Sequence, residues 1–193
     1  MRTTARCLLA LLSIALGATA FEDSPFRPGP ANQYPHQENN SIVIGAKLFS
    51  SQDATAPVFG KKVDFNKYDV LPVLVVMENG GKEALDLSSL EVKLVSSGGQ
   101  SIVALAPSEV PAIAVPARQP ELEKRPLSRK PKNPLNVPEI EGRAFSARML
   151  PPAANTSGFF YFRAQAESGM KLLVNGIVQR PSGKALLYFE IEF

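Results

Sequence analysis

An antiparallel β-sandwich of seven to nine strands is the fold class this sequence predicts, and three observations predict it. Val70 to Met77 is an unbroken apolar run rich in valine, too short for an isolated core helix and suited to a strand buried on both faces. Leu90 to Val95 and Ala185 to Phe193 instead alternate apolar with polar, the mark of a sheet with one wet face. No segment shows a sustained helical period. Sheets with one apolar face apiece bury them most simply against each other.

The amino terminus stands apart from that domain. Arg2 and Arg6 precede an apolar stretch, Cys7 to Leu16, and Ala18-Thr19-Ala20 supplies a small-x-small cleavage site. This is the three-part pattern of a secretory signal over residues 1–20, with an apolar core too short to span a bilayer comfortably. Cys7, the sole cysteine, leaves with it, so the exported chain has no thiol for a disulfide, a nucleophile or a thiolate metal site. Loss of Arg2 and Arg6 takes the basic residues from 21 to 19 against 18 acids, a net charge near +1. Nucleic-acid binding, which needs a clustered basic face, is not expected.

Residues 21–40 carry Pro25, Pro28, Pro30 and Pro35 among polar side chains and read as an exposed tether holding the only histidine, His36. The sandwich is expected over 41–193. Ile42 to Phe49 alternates as a first strand, Ser50 to Pro57 reads as a polar turn, and Val58 to Phe65 as a short strand broken at Gly60. Pro72 places the start of the apolar run at an edge or bulge. Asn79-Gly80-Gly81 reads as a hairpin turn, and Ser97-Gly98-Gly99-Gln100 as a second one, between Leu90–Val95 and Ile102–Leu105.

Residues 107–141 form a proline-rich insertion. Prolines 107, 111, 116, 120, 126, 131, 134 and 138 exclude a long helix or a central strand, leaving an exposed loop with room for one helical turn at Ser108 to Val110. Strands resume at Arg143–Leu150 and Gly158–Arg163. Met170–Val178 then pairs with Ala185–Phe193 across Pro181–Lys184.

Gly158, Phe160 and Phe162, following a proline-containing corner, match the Gly-x-Val-x-Phe-like strand of a known group. On these residues the chain resembles the small immunoglobulin-like domains exported by bacteria, of the type of the mycobacterial immunoprotective secreted antigen. The resemblance covers 41–105 and 143–193; the insertion departs from it. It implies an immunoglobulin-like sandwich in the cell envelope, periplasmic or extracellular, and brings no catalytic residues.

Candidate chemistry is correspondingly thin. His36 lies in the tether rather than in a rigid site, which disfavours a histidine-dependent nucleophile. Met77, Met149 and Met170 could serve copper as soft ligands, but strand methionines are more often core, so neither metal nor cofactor is expected. Glu190 and Glu192 share a strand face, an arrangement open to glycoside chemistry and equally to a solvated edge. If Phe160 and Phe162 face the core, Phe159 and Tyr161 face outward, in the same sense as Tyr188. These three form a candidate binding platform for a protein or glycan partner, unless the insertion or the tether folds over them. The expectation is an exported, non-catalytic binding or scaffolding domain. The alternatives are a small outer-membrane barrel, suggested by the alternating strand that ends at Phe193, and an envelope hydrolase.

Overall fold

The computed structural model of the chain describes residues 26–114, 133–186 and 188–193. The expected signal, residues 1–20, and residues 115–132 of the insertion lie outside them. Eleven strands are present among the described residues: β1 (His36–Asn39), β2 (Ile42–Leu48), β3 (Val70–Asn79), β4 (Ala84–Asp86), β5 (Glu91–Val95) and β6 (Ser101–Leu105). They continue with β7 (Met149–Leu150), β8 (Asn155–Arg163), β9 (Lys171–Asn175), β10 (Val178–Arg180) and β11 (Phe189–Glu192). The all-β antiparallel sandwich expected from the sequence is the class observed, with the strand count raised by short members such as β4, β7 and β10.

One sheet has the order β1-β2-β3-β8-β6-β5-β9-β11, and β10-β4-β7 form a second, three-stranded sheet. The fold line of the large sheet is β6. Its first half pairs with β5 (Lys93↔Val103) and its last two residues pair with β8 (Ala104↔Phe162, Leu105↔Tyr161), so it leaves one layer and enters the other. Between the layers lies the first core. Ile42, Ile44 and Ala46 of β2, alternate residues of β3 (Leu71, Val73, Val75, Met77) and Phe162 meet Val92, Leu94, Leu172, Val174, Phe189 and Ile191.

The remaining β3 residues explain why the whole run is apolar. Val70, Leu74 and Val76 point the other way, with Phe159 and Tyr161 of β8, into a second core. That core is roofed by segments expected to be loops. Helix α1 (Gln52–Phe59) replaces the expected turn and short strand. Ser51 caps it, accepting the Ala54 N–H at 3.2 Å, and Gly60 ends it at φ 92°. The two flanks of the insertion supply α2 (Val110–Ile113), preceded by a 3-10 turn at Pro107–Glu109, and α3 (Pro138–Gly142). Val110, Leu135 and Ile140 are fully buried, so the described flanks belong to the core rather than to an exposed loop.

The tether expectation also fails over residues 26–40. Phe26 packs on the second core, Ala31 is fully buried, and β1 forms a hairpin with β2. Asn40 and Ser41 turn that hairpin at φ 51° and 63°, the two positive values of a type I′ turn. Pro72 lies in an interior strand, paired with Tyr161 of β8 in an unbroken ladder rather than at a sheet edge or bulge, and its missing N–H falls where pairing with β2 ends. Phe49, one step past the last β2 pair, donates its N–H to the Pro72 carbonyl at 2.9 Å, and proline cannot return the bond.

Two further expectations are corrected. Asn79-Gly80-Gly81 is no hairpin, because β4 joins the small sheet instead of pairing with β3. Arg143–Leu150 is strand only at Met149–Leu150, although Ala144 bridges in parallel to Phe159. The outer-membrane barrel reading conflicts with the packing. A lipid-facing wall needs outward apolar residues, and those of β3 and β8 face the chain's own helices.

Candidate functional site

Residues Phe26 to Pro35 form a strap across the outer face of the large sheet. Proline at positions 28, 30 and 35 keeps it extended, with one 3-10 turn at Ala31–Gln33. It is pinned at named points. The Ala31 N–H donates to Glu78 Oε1 at 2.8 Å, the Gly29 N–H to Tyr34 Oη at 2.9 Å, and the Ala46 N–H to the Pro35 carbonyl at 2.9 Å. Gly45 of β2 makes the approach possible, since a Cβ there would collide with the Ala31 carbonyl. At its start Phe26 contacts Phe49 edge-on and Phe159 at a tilt, ring centroids 6.1 and 5.8 Å apart.

Facing the strap is α3. Pro138 opens it at a position where no N–H is needed, and Ile140 turns inward. The Ile140 carbonyl accepts the Tyr161 hydroxyl at 2.8 Å. Burial pushes the Tyr161 phenol up from its ordinary value, so it remains a donor to that carbonyl.

A groove of about 500 Å³ opens between strap and α3. Leu74 and Phe159 form its floor, Phe26 and Pro28 one wall, and Pro138, Gly142 and Arg143 the other, with Glu139 and Ser157 at the rim. The Arg143 guanidinium lies 5.7 Å from the Phe26 ring centre, within cation–π range. A narrower cleft of about 370 Å³ continues on the far side of the strap along Val76, Glu78 and Asn155–Ser157. The combination is an apolar floor with one cation and one carboxylate above it, which suits binding of an extended segment.

The sequence-predicted platform does not assemble. Phe159 and Tyr161 are 2% and 0% exposed, packed with Phe59 and Phe65, and only Tyr188, at 60%, faces solvent. The expected cover from tether and insertion is present in Phe26 and Ile140, but α1 and Phe65, which were not expected to cover them, pack on these aromatics as well. Phe159 nevertheless lines the groove, as its floor rather than as an exposed ring. Arg143, Glu139, Gly142 and Phe26 were missed. The available signal was Phe26 itself, a large aromatic that a solvated tether has no use for, and Ile140, a lone apolar residue between acids after Pro138.

The other candidates resolve as follows. Glu190 and Glu192 each lie 2.7 Å from Lys171 Nζ in a surface ion triad. Donating hydrogen bonds to the Glu190 and Glu192 carboxylates holds the Lys171 ammonium above its usual range, and accepting one from Lys171 lowers Glu192. The lowering of Glu192 is the reverse of what a general acid requires. Met77 and Met170 sit in the first core while Met149 is 56% exposed on β7, so the three thioethers do not share one environment. His36, on β1, has Nδ1 2.8 Å from the Tyr34 carbonyl.

No protein-family model matches the chain, and no curated protein matches it. Solved structures give distant likenesses. A candidate lipoprotein of Bacillus subtilis (YcdA) aligns with TM-score 0.41 and 13% identity over 82% of this chain, which spans only 38% of that one. The YjhA protein of the same organism aligns with TM-score 0.36 and 13% identity, over 72% of this chain and 76% of its own. A DUF4426 family protein of Pseudomonas aeruginosa aligns with TM-score 0.33 and 12% identity, over 82% of this chain and 93% of its own.

Proposed function

We propose that this chain is an exported, non-catalytic recognition domain of the bacterial cell envelope that holds an extended segment of a partner in the groove between strap and α3. The groove carries this reading. It is a concave, apolar-floored site with few polar groups, the ordinary character of a binding pocket. The Arg143 guanidinium and the Glu139 carboxylate, of opposite sign beside an apolar floor of Leu74 and Phe159, match the mixed charged and apolar side chains of a peptide. The non-catalytic part is supported by the lining. Among the described residues Ser157 is its one hydroxyl, and the titratable neighbours are Glu139 and Arg143, a guanidinium that cannot act as a base. Export is supported by the signal pattern of residues 1–20.

The test combines fractionation with a photo-crosslinking amino acid placed at Ser157, an exposed rim position. The chain is expected in the periplasm, shortened by its first twenty residues. Adducts with an envelope protein should form, and Gly142→Phe should suppress them by filling the groove. Full-length recovery in the cytosol overturns export, and adducts indifferent to Gly142→Phe overturn the groove as the site.

A further inference from the structure

The groove has a candidate occupant within the chain itself. Residues Phe21-Glu22-Asp23-Ser24-Pro25 immediately precede Phe26, lie outside the described residues, and begin where the expected signal ends. Phe26 is itself a wall of the groove. We propose that the amino terminus released by cleavage after Ala20 seats in this groove as an intramolecular ligand, Phe21 on the floor of Leu74 and Phe159. This rests on the recognition reading above and deepens it. The ligand class becomes an aromatic residue followed by acids, and a partner segment of that kind must displace the chain's own terminus.

Three observations support the assignment. The first is reach. Five extended residues span about 17 Å from Phe26, at roughly 3.3–3.6 Å each, so Phe21 can return over a floor that Phe26 already touches. The second is charge. The released terminus carries an α-ammonium and the carboxylates of Glu22 and Asp23, and the groove presents the opposite partner for each: Glu139 for the ammonium and Arg143 for the acids. The third is tethering. A segment five residues from its site has an effective concentration on the order of millimolar, so a weak contact suffices to fill it.

The chain contains no tryptophan, so Phe21→Trp introduces a single fluorescent reporter. The exported protein carrying it is sequenced from its amino terminus, and its emission is compared with that of the free peptide Trp-Glu-Asp-Ser-Pro. The seat predicts a first residue at position 21, a blue-shifted emission and severalfold weaker acrylamide quenching than in the free peptide. Gly142→Phe, added where a Cβ meets nothing within 4 Å, should return emission and quenching to the peptide's values without moving the urea midpoint. A reporter as exposed as in the free peptide overturns the proposal. So does one whose burial ignores Gly142→Phe, or a terminus made at another residue. If the seat fails while Ser157 crosslinks still depend on Gly142, the recognition reading stands alone. If the seat holds while no groove-dependent adduct forms, the groove serves the chain's own terminus and the partner reading falls.

Discussion

Asn79 concentrates more hydrogen bonding than any group singled out from the sequence. It is 1% exposed at the end of β3, and its Nδ2 lies 2.9, 3.0 and 3.1 Å from the carbonyls of Glu83, Leu150 and Pro151. Its Oδ1 accepts the Gly81 N–H at 3.0 Å, so one amide joins the large sheet to the approach of β4 and the exit of β7. Only an amide offers both donors and an acceptor at this size. Asn79→Ala should cost about 3 kcal/mol by stranding buried carbonyls. Asn79→Asp should cost more despite its identical shape, because a carboxylate faces those carbonyls with no donor. Urea unfolding of the two variants checks the order, and equal losses would reject the donor role. Tyr161 makes a smaller version of the same case. Tyr161→Phe orphans the Ile140 carbonyl and should cost about 1 kcal/mol near neutrality. Its phenol is raised in the fold, so above pH 10 the unfolded chain ionises first and stability is lost as pH rises. An alkaline loss in the wild type that is smaller in Tyr161→Phe is the expected result of pH-dependent denaturation.

Among the elements, those with a long or regular pattern were legible and those held by tertiary contact were not. β3 is readable because a core on each side demands eight apolar residues in a row. β5 and β11 are readable because one face is wet, and Gly99 at φ 82° marks the turn after β5. Helices of eight, four and five residues are too short to show a period, and proline lies in each of them. The strap has no pattern of its own and is fixed by Gly45 and Glu78, far away in sequence. Adding a Cβ at Gly45 should therefore free the strap and leave the first core intact. Gly45→Ala is expected to speed chymotryptic cleavage after Phe26, the first residue of the strap, while the β-sheet circular dichroism persists. Unchanged cleavage would mean that the strap tolerates the shift. In the small sheet, Asp86 of β4 is held down to about 2 by hydrogen bonds from Ser88 and by Arg180 of β10, at 2.9 Å. A depressed carboxyl stabilises above its ordinary value of 3.8 and loses that contribution as pH falls toward about 2. Asp86→Asn should flatten the acid limb of stability in that window, measured as the change in urea midpoint between pH 5 and pH 2.

On the scale of the whole molecule, the decisive fact is that β3 and β8 belong to two cores at once. A sandwich needs only one apolar layer between its sheets. Here the sheet holding β3 and β8 is covered a second time by α1, α2, α3 and the strap, which turns the expected binding face of Phe159 and Tyr161 into an interior and moves the accessible surface to the groove at its margin. Sharing two central strands has a consequence for unfolding. Neither outer layer can detach without exposing one face of β3, so the layers should melt together. Leu94 lies in the far layer and Ile140 in the helical roof, both fully buried. Leu94→Ala and Ile140→Ala should each cost about 3 kcal/mol. Far-UV circular dichroism follows the strands, and tyrosine fluorescence includes Tyr161 in the second core. For both variants the two signals are expected to give one urea midpoint. A tyrosine transition that precedes the dichroism transition in Ile140→Ala would show that the roof opens alone, and with it the groove that depends on α3.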